Sequence, residues 1–210
     1  MNPKTKNQKP KTEIGTEFEN QAISEGFRFI AGVDEVGRGC LAGAVVAAAC
    51  ILDLSKSLPE FLNDSKKLSE KKRRQIDKEI RQSAIAFSIA QVEAEEIDEI
   101  NILQATKKAM RLAIENLAPK ADYLLIDALE LREISLPQKA IIKGDAISAS
   151  IAAASILAKT YRDNLMCKLA ETYPEYGFEK HVGYGTKAHF EAIKKHGACP
   201  LHRKTFRGVL

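Results

Sequence analysis

The sequence predicts an α/β domain, and three features of its pattern lead there. Five short apolar runs have the length of strands, at 27–34, 43–52, 84–92, 123–127 and 139–143. Longer stretches with apolar residues at helical spacing lie between and after them, at 69–82, 101–117 and 147–173. The last part, 177–210, differs in composition. It holds all four histidines and an excess of five positive charges, against a net charge of +4 for the whole chain. A chain of 210 residues, 45% hydrophobic and 29% charged, suits one compact domain with a real core.

Each element has its own signal. Residues 1–12 carry Lys4, Lys6, Lys9 and Lys11 with two prolines and are expected to be a disordered basic tail. The tail has no apolar core, so it does not read as a signal peptide. Thr16-Glu17-Phe18-Glu19 has capping-box spacing, and Gly26 can end the helix it opens. The strand from Phe27 is expected to end at Asp34. A short glycine-containing connection then makes 27–34 and 43–52 an antiparallel pair. The helix at 69–82 has Ile76 and Ile80 one turn apart. With Lys66 and Lys67 before it, its Lys71, Lys72, Arg73 and Arg74 form the densest basic cluster.

Glu93 to Glu99 reads as a solvated turn or short helix. Asn101-Ile102-Leu103-Gln104 looks like a second capping box, opening a helix that packs Leu103, Thr106, Met110, Ala113 and Leu117 on a sheet. Pro119 closes it. The stretch 147–173 is rich in Ala and Ser, so it can approach a sheet closely. Thr186 to His196 reads as a short amphipathic helix ending at Gly197. The expected organisation is the tail 1–12, a catalytic domain 13–176 and a basic helical segment 177–210 that completes the substrate site.

Several function classes are disfavoured. Cys40, Cys50, Cys167 and Cys199 are scattered, with no C-x-x-C pair, which argues against a disulfide framework or zinc knuckle and for a reducing cytoplasm. His196, Cys199 and His202 have ligand-like spacing, but Pro200 interrupts them and no fourth ligand is near. No apolar run approaches the roughly 18 residues of a membrane span. Neither G-x-G-x-x-G nor G-x-x-x-x-G-K-[ST] is present. The mild positive charge favours a polyanionic partner.

The chemistry concentrates where strands end. Asp34 and Glu35 close the first strand, Asp127 the fourth, and Asp145 follows the fifth. Successive strand side chains point to opposite faces, so Asp34 and Glu35 share a site only if the chain turns there. Two carboxylates ~5 Å apart at an effective dielectric of ~20 repel by about 3 kcal/mol. Four together need protons or divalent cations, and oxygen-only ligands select Mg²⁺ or Mn²⁺. Pairs of such ions clamp the oxygens of a phosphodiester. The residues alone therefore point to metal-dependent phosphodiester cleavage. A two-metal exonuclease or other nuclease on the same acidic centre, and a non-catalytic binding module, remain open.

GVDEVGRG (32–39), DSKKLS (64–69), the Asp127 strand, KGDAISASIAAASILAKTYRD (143–163) and HVGYGT (181–186) resemble, together and in order, the motifs of type 2 ribonuclease H, bacterial ribonuclease HII. The resemblance runs from about residue 18 to about 206 and implies a ribonuclease H-like fold. That fold has a mixed central sheet flanked by helices and a small helical C-terminal region. It implies an endonuclease that cuts the RNA strand of RNA–DNA hybrids and incises duplex DNA 5′ of embedded ribonucleotides, leaving 5′-phosphate and 3′-hydroxyl ends, as ribonucleotide excision repair requires.

The resemblance makes Asp34, Glu35, Asp127 and Asp145 the catalytic carboxylates holding two Mg²⁺ or Mn²⁺ ions, with Asp34 shared between them. It gives Gly37, Arg38 and Gly39 contacts to the ribose 2′-hydroxyl and nearby phosphates. Tyr184 becomes the tyrosine on the sugar at the RNA-to-DNA junction, and Lys66 a phosphate contact. Arg162 and Asp163 match a family pair, of which Asp163 is expected to be supporting. Cys40 and Ala44 stand where the family usually has prolines. A cytoplasmic monomer without a C-terminal clamp-binding peptide is expected.

Overall fold

A computed structural model describes residues 14–60 and 62–210. The expected tail lies outside the described residues. Five strands form one sheet: β1 (Ile30–Val36), β2 (Val45–Ile51), β3 (Ala86–Val92), β4 (Tyr123–Asp127) and β5 (Gln138–Ile141), in the order β3-β2-β1-β4-β5. β2 runs antiparallel to both β1 and β3, whereas β4 runs parallel to both β1 and β5. The sheet is therefore mixed. The helices are α1 (Glu17–Ser24), α2 (Glu70–Ser83), α3 (Ala94–Glu115), α4 (Ala149–Thr172), α5 (Phe178–His181) and α6 (Lys187–His196).

The two sheet faces have separate cores. On one, Ala31, Val33, Ala47, Ala49 and Ile126 pack on Ala105, Ala109, Met110 and Ala113 of α3. On the other, Val46, Ala48 and Cys50 pack on Ile76 and Ile80 of α2 and on Ala149, Ala153 and Leu157 of α4. The small residues of α4 bring it against β1 as the sequence suggests. A Cβ built on Gly32 would lie 2.0 Å from the Ser150 carbonyl carbon. Only glycine permits that crossing, and it fixes the start of α4 over the middle of β1.

Two helix starts differ from the capping-box reading. Thr16 makes no side-chain cap, and Glu19 is buried. Glu19 Oε1 instead accepts from the Ser148 hydroxyl at 2.7 Å and the Ser150 amide at 2.8 Å. It thus caps α4, where a carboxylate also meets the positive end of the helix. Asn101 does cap, accepting from the Leu103 and Gln104 amides. Its backbone, at φ 66°, kinks α3 without ending it, so the Glu93 to Glu99 stretch belongs mostly to the same helix. Arg73 leaves the basic surface cluster altogether. It is buried, donates to the Ser65 and Leu68 carbonyls, and pairs with Asp163 at 3.4 Å.

The C-terminal segment builds its own small core from Phe178, Ile193, Cys199 and Val209 against Leu41, Ala42 and Met166. Tyr176, just before the expected boundary, packs in that core too, and its hydroxyl donates to the Gly197 carbonyl. His202 does not read as a metal ligand here. Its Nδ1 accepts from the Cys199 amide at 3.0 Å, which leaves its Nε2–H to donate to His189 Nε2 at 3.0 Å. His189 Nδ1–H then donates to the Tyr184 carbonyl. Both rings are therefore neutral in this arrangement.

Burial pushes His189 down from 6.5 to about 4, helped by His181 and His202 and opposed by the Tyr184 carbonyl. The unfolded chain takes up this proton near 6.5, and the folded chain refuses it until about 4. The stability this supplies is complete above 6.5 and is lost as pH falls toward 4. Thermal melts from pH 7 to 4 should therefore show a steeper decline for the wild type than for His189→Gln. Parallel curves would mean that the ring pair does not exclude the proton.

Candidate active site

The parallel pairing of β1 with β4 reaches Val33↔Ile126. β1 does not end at Asp34 as expected. It continues through Glu35 to Val36, bonded to β2 alone. The site opens where β1 and β4 part, at the carboxyl ends of the two parallel strands. Ligand sites of open α/β sheets commonly sit at such an end. Asp34 lies just past the last β4 pairing, and Asp127 is the last residue of β4. Asp145 sits in a single 3-10 turn, Gly144–Ala146, that leads into α4.

Local bonds set these carboxylates. The Glu35 amide donates to Asp34 Oδ1 at 2.7 Å, and the Gly144 amide donates to Asp127 Oδ1 at 2.7 Å. Lys66 Nζ stands 3.4 Å from Asp145 Oδ2, and Arg38 Nη1 stands 3.4 Å from Glu35 Oε1. Glu35 therefore shares the site although the strand continues. Its longer side chain is close enough to Asp34 to raise that carboxyl, and Asp127 in turn raises Glu35.

The electrostatics are those of too many acids in one place. Burial raises the Asp34 carboxyl well above the usual range, and Glu35 and Asp127 raise it further against a hydrogen bond from Ser155. Burial also raises Glu35, against Arg38, with Asp127 adding to the rise. Asp127 is raised by burial and by Asp145, against the Gly144 amide and the nearby Lys66 and Arg38. Desolvation pulls Lys66 down, and the attraction of Asp145 and Asp34 more than offsets it, leaving its pKa raised. One lysine and one arginine thus partly balance four carboxylates.

The donors suit a hard divalent cation, being all oxygen and deprived of water or of counter-charge. Among the described residues, no three carboxylate, imidazole or thiolate groups already close on a common point at ligand distance. Lys66 and Arg38 hold two of the four carboxylates, so a cation would enter by displacing those contacts. The site also lies apart from the ~530 Å³ cavity lined by Glu95, Asp98, Cys199 and His202.

The expected substrate residues gather beside the acids. Arg38 reaches back to Glu35, and Cys40 forms an antiparallel bridge with Tyr184. The Leu41 amide donates to the Gly183 carbonyl at 2.8 Å, tying the two segments together. Tyr184 is 41% exposed, which leaves its ring available to a ligand. The two loop glycines differ. A Cβ on Gly39 meets nothing within 4 Å, so its surface is free for a close ligand. Gly37 has φ +93°, and a Cβ there would lie 2.2 Å from Arg162 Nε. Its glycine is required by the interior, so Gly37→Ala is not a clean probe of sugar contact.

Three residues near the site, Ser65, Ser155 and Arg203, had no individual role in the sequence reading. The Ser155 hydroxyl lies 2.9 Å from that of Ser65, and it is near enough to Asp34 to oppose the rise of that carboxyl. Serines inside DSKKLS and the alanine-rich helix carry no signal that separates them from packing residues. Arg203, in the basic tail end, is wholly buried. Glu19, read as part of a capping box for α1, instead accepts from Ser148 and Ser150 at the start of α4. Asp163 pairs with Arg73 and Lys159, away from the four acids.

Comparison with known proteins places this arrangement in a family. The family model described as Ribonuclease HII matches residues 31–209. A "Ribonuclease HII" of Desulfitobacterium hafniense is 55% identical over 191 residues, covering 91% of this chain and 73% of that protein. The solved PCNA:RNase HII complex from Archaeoglobus fulgidus contains a chain 28% identical, with a TM-score of 0.74 over 86% of this chain and 96% of that one. The ribonuclease H2 of Pyrococcus horikoshii is 25% identical, with a TM-score of 0.72 over 87% and 95%. The chain belongs to the ribonuclease HII family and is a ribonuclease of the H type.

Proposed function

We propose that this enzyme is an endonuclease that cuts the RNA strand of RNA–DNA hybrids and incises duplex DNA 5′ of embedded ribonucleotides, leaving 5′-phosphate and 3′-hydroxyl ends. One observation carries the reading. Asp34, Glu35 and Asp127 crowd one another at the open end of β1 and β4, with Asp145 close to Asp127, beside a segment bridged to an exposed tyrosine. Asp34, Glu35, Asp127 and Asp145 would hold two Mg²⁺ or Mn²⁺ ions. Such ions supply charge stabilisation to the attacking and leaving oxygens of an in-line displacement.

The remaining work falls to the chain itself. Lys66 contacts Asp145 and Arg38 contacts Glu35, and both cations would turn toward phosphate oxygens of the substrate. Amides of the 37–39 loop, with no side chain at Gly39, can approach a 2′-hydroxyl closely. The Tyr184 ring can pack on the next sugar, where a deoxyribose fits. A site that reads one hydroxyl discriminates because its polar groups are left unpaired when the hydroxyl is missing. Among the described residues no helix is long and apolar enough to cross a membrane. Action as a monomer in the cytoplasm completes the proposal.

Asp34→Asn removes the most buried charge of the cluster with little change in shape. Cleavage of a labelled duplex carrying one internal ribonucleotide should fall by at least ~10³ in Mg²⁺, in line with losses of central electrostatic groups. Near-normal turnover would overturn the assignment. Asp163→Asn should be milder than Asp145→Asn, since Asp163 serves Arg73 and Lys159.

Tyr184→Ala should reduce cleavage at single embedded ribonucleotides more than cleavage of continuous hybrids, because only the former always present a junction. Both substrates are compared in single-turnover assays, with thermal melts as a folding control. An equal loss on both, matched by a lowered melting temperature, would leave Tyr184 a packing residue.

A further inference from the structure

Two guanidinium groups lie wholly inside the protein, and all their hydrogen bonds run to backbone carbonyls. Arg162 of α4 donates from Nε to Ala44 at 2.9 Å, from Nη1 to Val182 at 2.8 Å and from Nη2 to Ala42 at 3.0 Å. Arg203 donates from Nε and Nη2 to Gly43 at 3.0 and 2.8 Å, and from Nη1 to Arg38 at 2.9 Å. A carbonyl satisfies a donor but does not cancel its charge. Asp163, next in sequence to Arg162, is turned to Arg73 and Lys159. Burial brings Arg203 down to about 10, so it remains cationic near neutrality. A pair of buried cations without carboxylate partners is costly, and a fold needing only apolar filling would not require it.

What the pair holds is informative. Its five carbonyl acceptors fall on two segments. Four are at Arg38, Ala42, Gly43 and Ala44, running on from the loop beside the acids. The fifth is Val182, two residues before Tyr184. Arg162 alone spans both segments. Arg203 also donates its amide to the Leu41 carbonyl at 2.8 Å. The backbone is shaped around Arg162. A Cβ on Gly37 would meet its Nε at 2.2 Å, and one on Gly183 would meet the Ala42 carbonyl oxygen at 2.4 Å and Arg162 Nη2 at 3.4 Å. A planar fork with fixed donor directions suits several carbonyls at once, which an ammonium cannot match.

We propose that Arg162 and Arg203 are positioning residues for ribose recognition, clamping the 37–39 loop to the Tyr184 segment so that both sides of the sugar site move as one body. The inference rests on the reading that this loop and Tyr184 contact substrate, and it adds the internal device that sets their spacing. Arg203 holds the Arg38 carbonyl from within, which fixes the loop at its middle residue. A misplacement of about 1 Å in such a site costs on the order of 10²-fold in rate.

The test is a double-mutant cycle of Arg203→Lys with Tyr184→Ala, read on a duplex with one internal ribonucleotide, with melts of every variant. Arg203→Lys keeps the charge and loses the fork. It should lower kcat by about 10-fold or more with KM changed less than about 3-fold, the pattern of a contact made in the transition state. In the Tyr184→Ala background the same change should cost less than about 3-fold, because the partner it aligns is gone. Hydrogen exchange on the free protein supplies an independent reading. The Leu41 and Tyr184 amides, which donate to Gly183 and His181, should exchange faster together in Arg203→Lys.

Additive losses in the cycle, or unchanged protection at both amides, would overturn the clamp. If Tyr184→Ala alone behaves as wild type, the substrate reading fails, and exchange at the two amides still decides whether the clamp exists. Should Arg203→Lys melt below the assay temperature, Arg162→Lys carries the same measurements with the same expected outcomes.

Discussion

Mutual repulsion among partly desolvated carboxylates is the constraint on which the rest of the site depends. Asp34 has almost no contact with water, and Glu35 and Asp127 crowd it. Left alone, such a group would neutralise itself by taking a proton. The fold opposes this with weak and reversible means: one serine hydroxyl, two backbone amides, and single contacts from Lys66 and Arg38. None of these fully balances the charge. Added positive charge would relieve a site kept in that condition, which is the kind of preorganised field a phosphodiester-cleaving centre needs.

Holding the acids apart from water requires a rigid frame. The crossing of α4 over Gly32 supplies it, fixing the helix start within contact of β1. Glu19 caps that start from α1, and the preceding turn carries Asp145. Position along the sheet therefore passes from β1 to α4 to Asp145 through backbone contact and one buried carboxylate. The same helix sends Arg162 under the 42–44 segment that follows the 37–39 loop. One helix thus references both the acids and the 42–44 backbone to the same strand.

Much of this was legible in the sequence where the signal is local. All five strands fall within the apolar runs or a few residues of them, and Asp127 stands at the end of β4 as read, whereas Asp145 lies beyond β5 in the Gly144–Ala146 turn. The reading of β1 failed in an instructive way. Alternation of side chains predicts that Asp34 and Glu35 diverge, so a shared site seemed to need a strand end. In the fold, pairing with β4 stops while pairing with β2 goes on, and a partner strand is not visible in a single sequence. Glu19, Arg73 and Arg203 misled for one common reason. Composition marks them as surface charges, and only contacts across some 90 to 160 positions of sequence show them to be buried. The glycine at 37 was attributed to a ligand, whereas its neighbour in space is an arginine 125 positions away.

The central claim is that the fold holds these acids at a cost which a divalent cation relieves. The direct measurement is thermal melting of the wild type and Asp34→Asn, each in EDTA and in saturating Mg²⁺. A folded-state acid whose pKa is raised destabilises the protein at neutral pH, so Asp34→Asn should melt higher than wild type in EDTA. Mg²⁺ should raise the wild-type melting temperature, because binding to the folded state adds stability, and should raise that of Asp34→Asn far less. An Asp34→Asn protein less stable than wild type in EDTA, or an equal Mg²⁺ shift in both, would contradict the account.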